Sequence, residues 1–523
     1  MTTEVLVLSG QSLDIAQVVR VARERVPVVL SAAARERILA SRAVVERLAQ
    51  EGKPIYGVTT GLGEKAGVRL EPTELEAFQE LVVLSRSVAV GPCLPTEVVR
   101  AMLVVRVNGL AVGGAGTSLE VVEAMLAMLN AGVHPRVPAI GSIGASDLAP
   151  LAHLALPLIG HGEAEFRGEQ FSGAEALRRA GLSPVRLGIK EGLTLCSANA
   201  VSLGQGALVL ADALGLWQAA TIAAALSFEG FRANLTPFDP RVQAARPAPG
   251  QATAAARLCK LLAGSDLWQA GAARRLQDPL SFRCLSQVHG ACLASLELAQ
   301  HTLESELNGA SDNPLVLPEA GLILSNGNFD IPAVALQLEA VGLSLSMLAN
   351  LTVERVKRLM SPVFSGLPLS LTPLGGNRTG LATLQKTLTA LAAELRHLAA
   401  PICLSAMPVS DDVEDHATLA PLVTRKTAEI LMRLRYIVAI ELLVAAQAID
   451  LRGPLQLGHG VGAAFKAIRA EVPPLAEDRI LSSDVERLHN LIADGTLLRQ
   501  VAAAEQTETA TETEESFVLA SPG

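Results

Sequence analysis

A chain of 523 residues that is 50% hydrophobic but only 3% aromatic can bury a large core, and must build it from aliphatic side chains. Its formal net charge of −9 argues against nucleic acid, which is usually met by a basic face. Six cysteines (93, 196, 259, 284, 292 and 403) without a CxxC pair offer no metal-site spacing and fit reduced thiols in the cytoplasm.

Ala and Leu are strong helix formers, whereas strands favour β-branched and aromatic residues, so the composition predicts a mainly α fold. At the amino end, Glu4 and Asp14 stand where a secretory leader would be basic and then apolar, so no signal peptide is expected. Residues 1–200 are predicted to form an N-terminal, loop-rich domain. Helical patterns there alternate with Gly- and Pro-rich connections at 56–63, 113–116 and 134–138, and such glycines mark backbone that turns sharply or approaches a ligand. The uncharged run Gly192 to Ala211 contains Thr194, Ser197, Asn199, Ser202 and Gln205, which predicts a buried core helix and not a membrane span.

Residues 201–504 are predicted to form a long-helix domain. Between Ala333 and Met360 the apolar residues Val334, Leu336, Leu338, Val341, Leu345 and Leu348 recur at helical spacing. Helices apolar on several faces predict a long central bundle, covered by other helices of this or another subunit. Residues 505–523, rich in Thr and Glu, are expected to be a disordered acidic tail.

The segment Gly141-Ser142-Ile143-Gly144-Ala145-Ser146-Asp147-Leu148-Ala149-Pro150 is the most informative. Locally, Ser146-Asp147 reads as an N-cap for a helix starting at Leu148, with Pro150 in the first turn. Tyr56 is one of only two tyrosines and lies in a glycine-rich loop, which favours a functional role over a core phenol.

Several segments in order carry a family resemblance: 54–63 (Pro-Ile-Tyr-Gly-Val-Thr-Thr-Gly-Leu-Gly), 141–154, Lys190-Glu191-Gly192-Leu193, Gln277-Asp278-Pro279, Ser281-Phe282-Arg283-Cys284, Ser311-Asp312-Asn313-Pro314-Leu315, Gly327-Asn328-Phe329 and Glu414-Asp415-His416. Together they resemble histidine ammonia-lyase and its phenylalanine and tyrosine relatives from about Ile55 to Leu498. The resemblance implies a mainly α protomer with a long central bundle. It also implies a homotetramer whose sites mix residues from several subunits, an L-amino acid substrate that loses ammonia to give an unsaturated acid, and no nucleic-acid or membrane partner.

Elimination of ammonia is hard because the β-proton is weakly acidic and the amine leaves poorly. The family resembled here meets this with a methylidene-imidazolone (MIO) electrophile closed from an Ala-Ser-Gly triplet. In this chain the triplet reads Ala145-Ser146-Asp147, and Asp147 aligns with the aspartate that follows the family's glycine, so the glycine is deleted. A five-membered closure needs backbone angles that a Cβ disfavours. The cofactor expected from the resemblance is therefore MIO from 145–147 if the ring forms, and otherwise none; no metal is expected.

The resemblance assigns Tyr56 to acid–base work beside Ala145, Ser146 and Asp147. It assigns Arg283 to the substrate carboxylate, which a guanidinium fork matches in two hydrogen bonds, with Gln277 beside it. Phe329 packs over the electrophile, and Glu414 stands where histidine-specific members carry a glutamate. Arg86 occupies the position of a histidine or another selector, Ser197 that of an asparagine at the ring, and Leu280 that of a tyrosine. Asparagine, tyrosine and glycine all serve the electrophile, and all three are gone. His416 reads as structural. Three readings stay open: an ammonia-lyase or aminomutase, a divergent enzyme or carboxylate-binding homologue without the ring, and a non-catalytic subunit of an active relative.

Overall fold

The computed structural model describes residues 4–63, 67–71 and 73–506. The fold is mainly α, and its strands are short. Residues 507–523 of the expected tail lie outside the described residues. Residues 505 and 506 end a helix spanning 496–506, and Glu505 pairs with Arg257.

The chain forms two compact units, each assembled from separated segments. One comprises 1–211, 298–339 and 401–425; the other comprises 212–297, 340–400 and 426–523. Long helices run from the segments of one into those of the other. The helices that matter most here are α1 (Leu75–Arg86), α2 (Leu148–Ala155), α3 (Glu191–Cys196), α4 (Ala200–Phe231), α5 (Leu285–Leu307), α6 (Pro332–Leu359) and α7 (Ala420–Arg452). The run expected to be a core helix is α3 with the first part of α4. Two stretches, Glu191–Phe231 and Pro332–Leu359, are long and apolar enough to cross a membrane, and most of each apolar window is buried inside the protein.

In the second unit, α4 is buried almost throughout; Ala219, Ala220 and Ala223 are wholly inaccessible. Their small side chains let neighbouring backbones pack closely. Two buried charges of this unit, Arg355 and Glu441, form an ion pair. Arg355 Nε and Nη2 donate to Glu441 at 2.6 and 2.9 Å, and Ser227 Oγ donates to the same carboxylate at 2.8 Å, with Arg355 and Glu441 fully buried.

In the first unit, small sheets position loops. β1 (Leu6–Leu8) pairs in parallel with β2 (Val28–Leu30); β3 (Val90–Cys93) pairs antiparallel with β5 (Pro138–Ile140); β4 (Val133–Pro135), β6 (Glu163–Phe166) and β7 (Glu169–Ser172) form a meander. A hairpin of β8 (Leu315–Leu317) and β9 (Leu322–Leu324) is registered Leu315 to Leu324 and Leu317 to Leu322.

His134 on β4 is buried, and its Nε2 accepts from Arg100 Nη1 at 3.2 Å. Burial, reinforced by Arg100 and only partly opposed by Glu165, pushes its pKa from 6.5 down to about 4. The unfolded chain therefore binds the extra proton first. The stability from neutral His134 is fully present above pH 6.5 and is lost as pH falls toward about 4. A His134→Gln variant is expected to show a shallower loss of stability across that window in pH-stepped urea titrations.

Candidate active site

The segment after β5 changes direction sharply. Gly144 has φ +90, and a Cβ there would lie 2.6 Å from Thr418 Oγ1, so only glycine fits. Ser146 follows with φ +54, in the left-handed region. Its N–H donates to Phe329 O at 3.2 Å, and Leu419 N–H donates to Ile143 O at 2.8 Å. The loop is thus pinned to two other segments of the same unit.

Helix α2 begins at Leu148 with Pro150 in its first turn, as expected, but Asp147 does not cap it with its side chain. Its ψ of 52 is far from an extended cap geometry. The carboxylate instead accepts from Ser202 N–H at 2.9 Å in the first turn of α4, from Ser202 Oγ at 3.2 Å and from Ser142 Oγ at 3.1 Å. It satisfies an orphan donor at the positive end of a different helix. Burial pushes its pKa up to about 6, against the pull of these hydrogen bonds. Asp147→Ala is expected to cost about 1–3 kcal/mol by stranding these buried donors. Asp147→Asn, which keeps an acceptor, should cost less. Denaturant midpoints of the two variants check this, and an Ala midpoint equal to that of the parent would remove Asp147 from the capping role.

In the first unit a cleft of about 680 Å³ gathers Tyr56, Arg86, Ala145, Ser146, Ser197, Phe329 and Glu414. Asp147 is not on its wall; it is fully buried. Tyr56 packs against the cluster of Leu62, Val82 and Leu193, and its hydroxyl oxygen accepts the Gly63 N–H at 3.2 Å. Arg86 ends α1. Its Nη1 reaches Val82 O at 3.4 Å and Ser85 Oγ at 3.3 Å, and among the described residues no carboxylate pairs with it. Ser146 Oγ and Ser197 Oγ lie 3.4 Å apart. Asn199 does not reach the cleft; its Nδ2 donates to Gly144 O at 3.3 Å.

Glu414 arrives on a strained turn. Ser410, Asp411 and Asp412 all have positive φ, and Val409 and Glu414 exchange backbone hydrogen bonds of 3.1 and 3.2 Å across it. His416 pairs with Asp330 at 3.1 Å and is mostly exposed.

Sequence reasoning missed Asn313 and Asn326 as wall residues, although Asn313 lies within one of the family segments and Asn326 directly before another. They flank the β8–β9 hairpin, where Asn326 N–H donates to Asn313 Oδ1 at 3.0 Å and Asn326 Nδ2 to Asp312 O at 3.1 Å. Asp312 is anchored in turn by Arg106 at 2.9 Å, both buried, and Arg106 also donates to Thr194 O. Beside them the fully buried Lys190 donates to Ala115 O at 2.6 Å, and burial pushes its pKa down to about 8.

Gln277, Leu280 and Arg283 belong to the second unit and do not line this cleft. Arg283 Nη1 donates to Gln277 Oε1 at 2.8 Å, and Leu280 is 59% exposed.

The residues at 145–147 do not fit an MIO ring. The nitrogen that would close it belongs to Asp147, which carries a Cβ, donates to Ala198 O at 2.6 Å and has its carboxylate fixed at the start of α4. Asp147 performs a helix-anchoring task, and no residue stands in the place of the ring-closing glycine.

Over residues 13–470 the chain matches the family model described as aromatic amino acid lyase. It is 42% identical over 495 residues to a histidine ammonia-lyase of Symbiobacterium thermophilum, spanning 94% of this chain and 98% of that one. Among solved structures it is similar to Ergothionase, an ergothioneine degrading enzyme from Treponema denticola in complex with desmethyl-ergothioneine sulfonic acid (TM-score 0.92, 34% identity, 95% of this chain and 100% of that one). It is similar too to tyrosine aminomutase from Streptomyces globisporus (TM-score 0.92, 33% identity, 96% and 99%).

Proposed function

The chain belongs to the aromatic amino acid lyase family, and from that premise we propose that it is an amino acid ammonia-lyase of the histidine and aromatic type. It takes the amine and a β-proton from an L-amino acid and leaves an unsaturated acid. The observation that carries this reading is the gathering of Tyr56, Arg86, Phe329 and Glu414 on one cleft wall. A phenol is an acid–base group, an aromatic ring packs against a planar substrate, and a carboxylate accepts from a basic side chain. No step here runs through an MIO ring.

Purified protein incubated with L-histidine, L-tyrosine or L-phenylalanine is expected to release ammonia with a near-ultraviolet rise from the unsaturated acid. Formation of a β-amino acid instead identifies an aminomutase. No release from any amino acid overturns the reading.

The absence of the glycine, together with the likeness to an ergothioneine degrading enzyme, favours a second reading. Ergothioneine carries a quaternary amine, which leaves as a neutral tertiary amine without covalent activation. Release of trimethylamine from ergothioneine, with none of ammonia from histidine, selects it.

The protein works in this proposal as a cytoplasmic homotetramer, with Arg283 and Gln277 serving the cleft of another copy. Exposed apolar residues of the second unit support a subunit contact: Leu280, and on α6 Leu343 and Met347, which are 47% and 55% exposed. Met347→Glu is expected to lower the oligomeric mass in light scattering, because a charge buried at an interface without a partner costs several kcal/mol, about 3–5 by analogy with a broken buried pair. An unchanged mass removes this face from the assembly.

A further inference from the structure

We propose that the 145–147 segment stays an open peptide, and that the cleft eliminates the amine directly from substrates whose side chain can pass negative charge to an atom held by Arg86. This deepens the lyase reading and rests on it.

All hydrogen-bonding groups of Asp147 are committed to the fold. Its N–H goes to Ala198 O at 2.6 Å, its C=O accepts from Leu151 at 3.0 Å, and its carboxylate is held by Ser142 and Ser202. Ring closure consumes that N–H and the Ser146 hydroxyl, which here lies 3.4 Å from the Ser197 hydroxyl. Closure therefore gives up a buried backbone hydrogen bond, and an unpaired buried carbonyl costs about 1–3 kcal/mol. The open segment presents the Ser146 hydroxyl to the cleft, beside that of Ser197, in place of an electrophile.

Without an electrophile the amine must leave with only a proton's help. The β-carbon gives its proton to the Tyr56 oxygen as base. The C–H electron pair becomes the new carbon–carbon double bond, and the C–N pair departs with nitrogen, so a substrate ammonium leaves as ammonia. Charge develops at the β-carbon before nitrogen has left. A side chain with an electronegative atom in conjugation with that carbon spreads the charge; a plain phenyl ring has no such atom.

Arg86 is the cationic residue on this wall. Only its Nη1 is engaged, at 3.3 and 3.4 Å to groups of its own helix. Among the described residues its Nε and Nη2 make no hydrogen bond and no acid neutralises it, so the fork is available to an acceptor atom. The substrate class is an amino acid with an imidazole-like or oxygen-substituted conjugated side chain.

Two measurements on the full chain test this. The intact mass is expected to equal that of the unmodified sequence, and a mass lower by two waters overturns the proposal. Calorimetry with imidazoleacrylate and phenylacrylate is expected to show tighter binding of the first by about tenfold or more, the worth of one hydrogen bond to a charged group, and Arg86→Met is expected to erase the preference. Equal binding by the parent, or an unchanged preference in Arg86→Met, overturns it. The two readings fail separately. Ammonia release by a protein two waters light leaves the lyase reading intact and sinks this one. An unmodified protein with the ligand preference but no turnover of any amino acid sinks the lyase reading and the elimination step with it, and leaves the open segment and the Arg86 contact standing.

Discussion

Tyr56→Phe is expected to lower kcat by about 10²- to 10⁴-fold, the usual worth of a positioned acid or base, while leaving thermal stability within about 0.5–1.5 kcal/mol of the parent. The phenol accepts one backbone N–H, from Gly63, and its ring packs on Leu62, Val82 and Leu193. Phenylalanine keeps the ring contacts and loses only the oxygen. The measurement is steady-state turnover with the best amino acid from the substrate panel, beside a melting curve. Turnover equal to that of the parent removes Tyr56 from the reaction. A large fall in melting temperature assigns it to the core instead.

Asp312→Asn is expected to lower the free energy of unfolding by about 3–5 kcal/mol, the cost of breaking a buried ion pair from one side. The pair with Arg106 is 1% exposed at both partners, and Lys190 lies close enough to feel both charges. Without the carboxylate, Arg106 and Lys190 lose the buried counter-charge that faces them. Asn313, the next residue, is on the cleft wall, so the same variant should weaken ligand binding as well. Urea unfolding and calorimetry read the two effects. A midpoint within experimental error of the parent contradicts the account of this cluster.

The segments that carry the family resemblance also mark most of the wall. Tyr56, Phe329 and Glu414 stand in short motifs whose residue types carry chemistry, and all three line the cleft. The start of α2 at Leu148 was legible because a cap candidate and a proline frame it. The partner of Asp147 was not legible. A local reading looks for the nearest helix start, whereas the carboxylate crosses to Ser202, 55 positions away. Asn313 and Asn326 escaped notice for a related reason: a hairpin brings its two ends together, and nothing in either asparagine announces that. The composition of the units from separated segments is hidden as well, because long helices such as α4 and α6 run unbroken through the points where one set of contacts gives way to another. Arg283 and Gln277 fall outside the cleft of the first unit, which a linear motif does not reveal.

The double attachment of Asp147 bears on how the segment tolerates substitution. Its carbonyl opens α2 and its carboxylate holds the start of α4, so both helices take their register from this one residue. Just upstream, Gly144 and Ser146 turn the loop in left-handed conformations. A single buried carboxylate thus ties the floor of the cleft to the helical scaffold, and a substitution at 147 reaches both helices before it reaches the cleft.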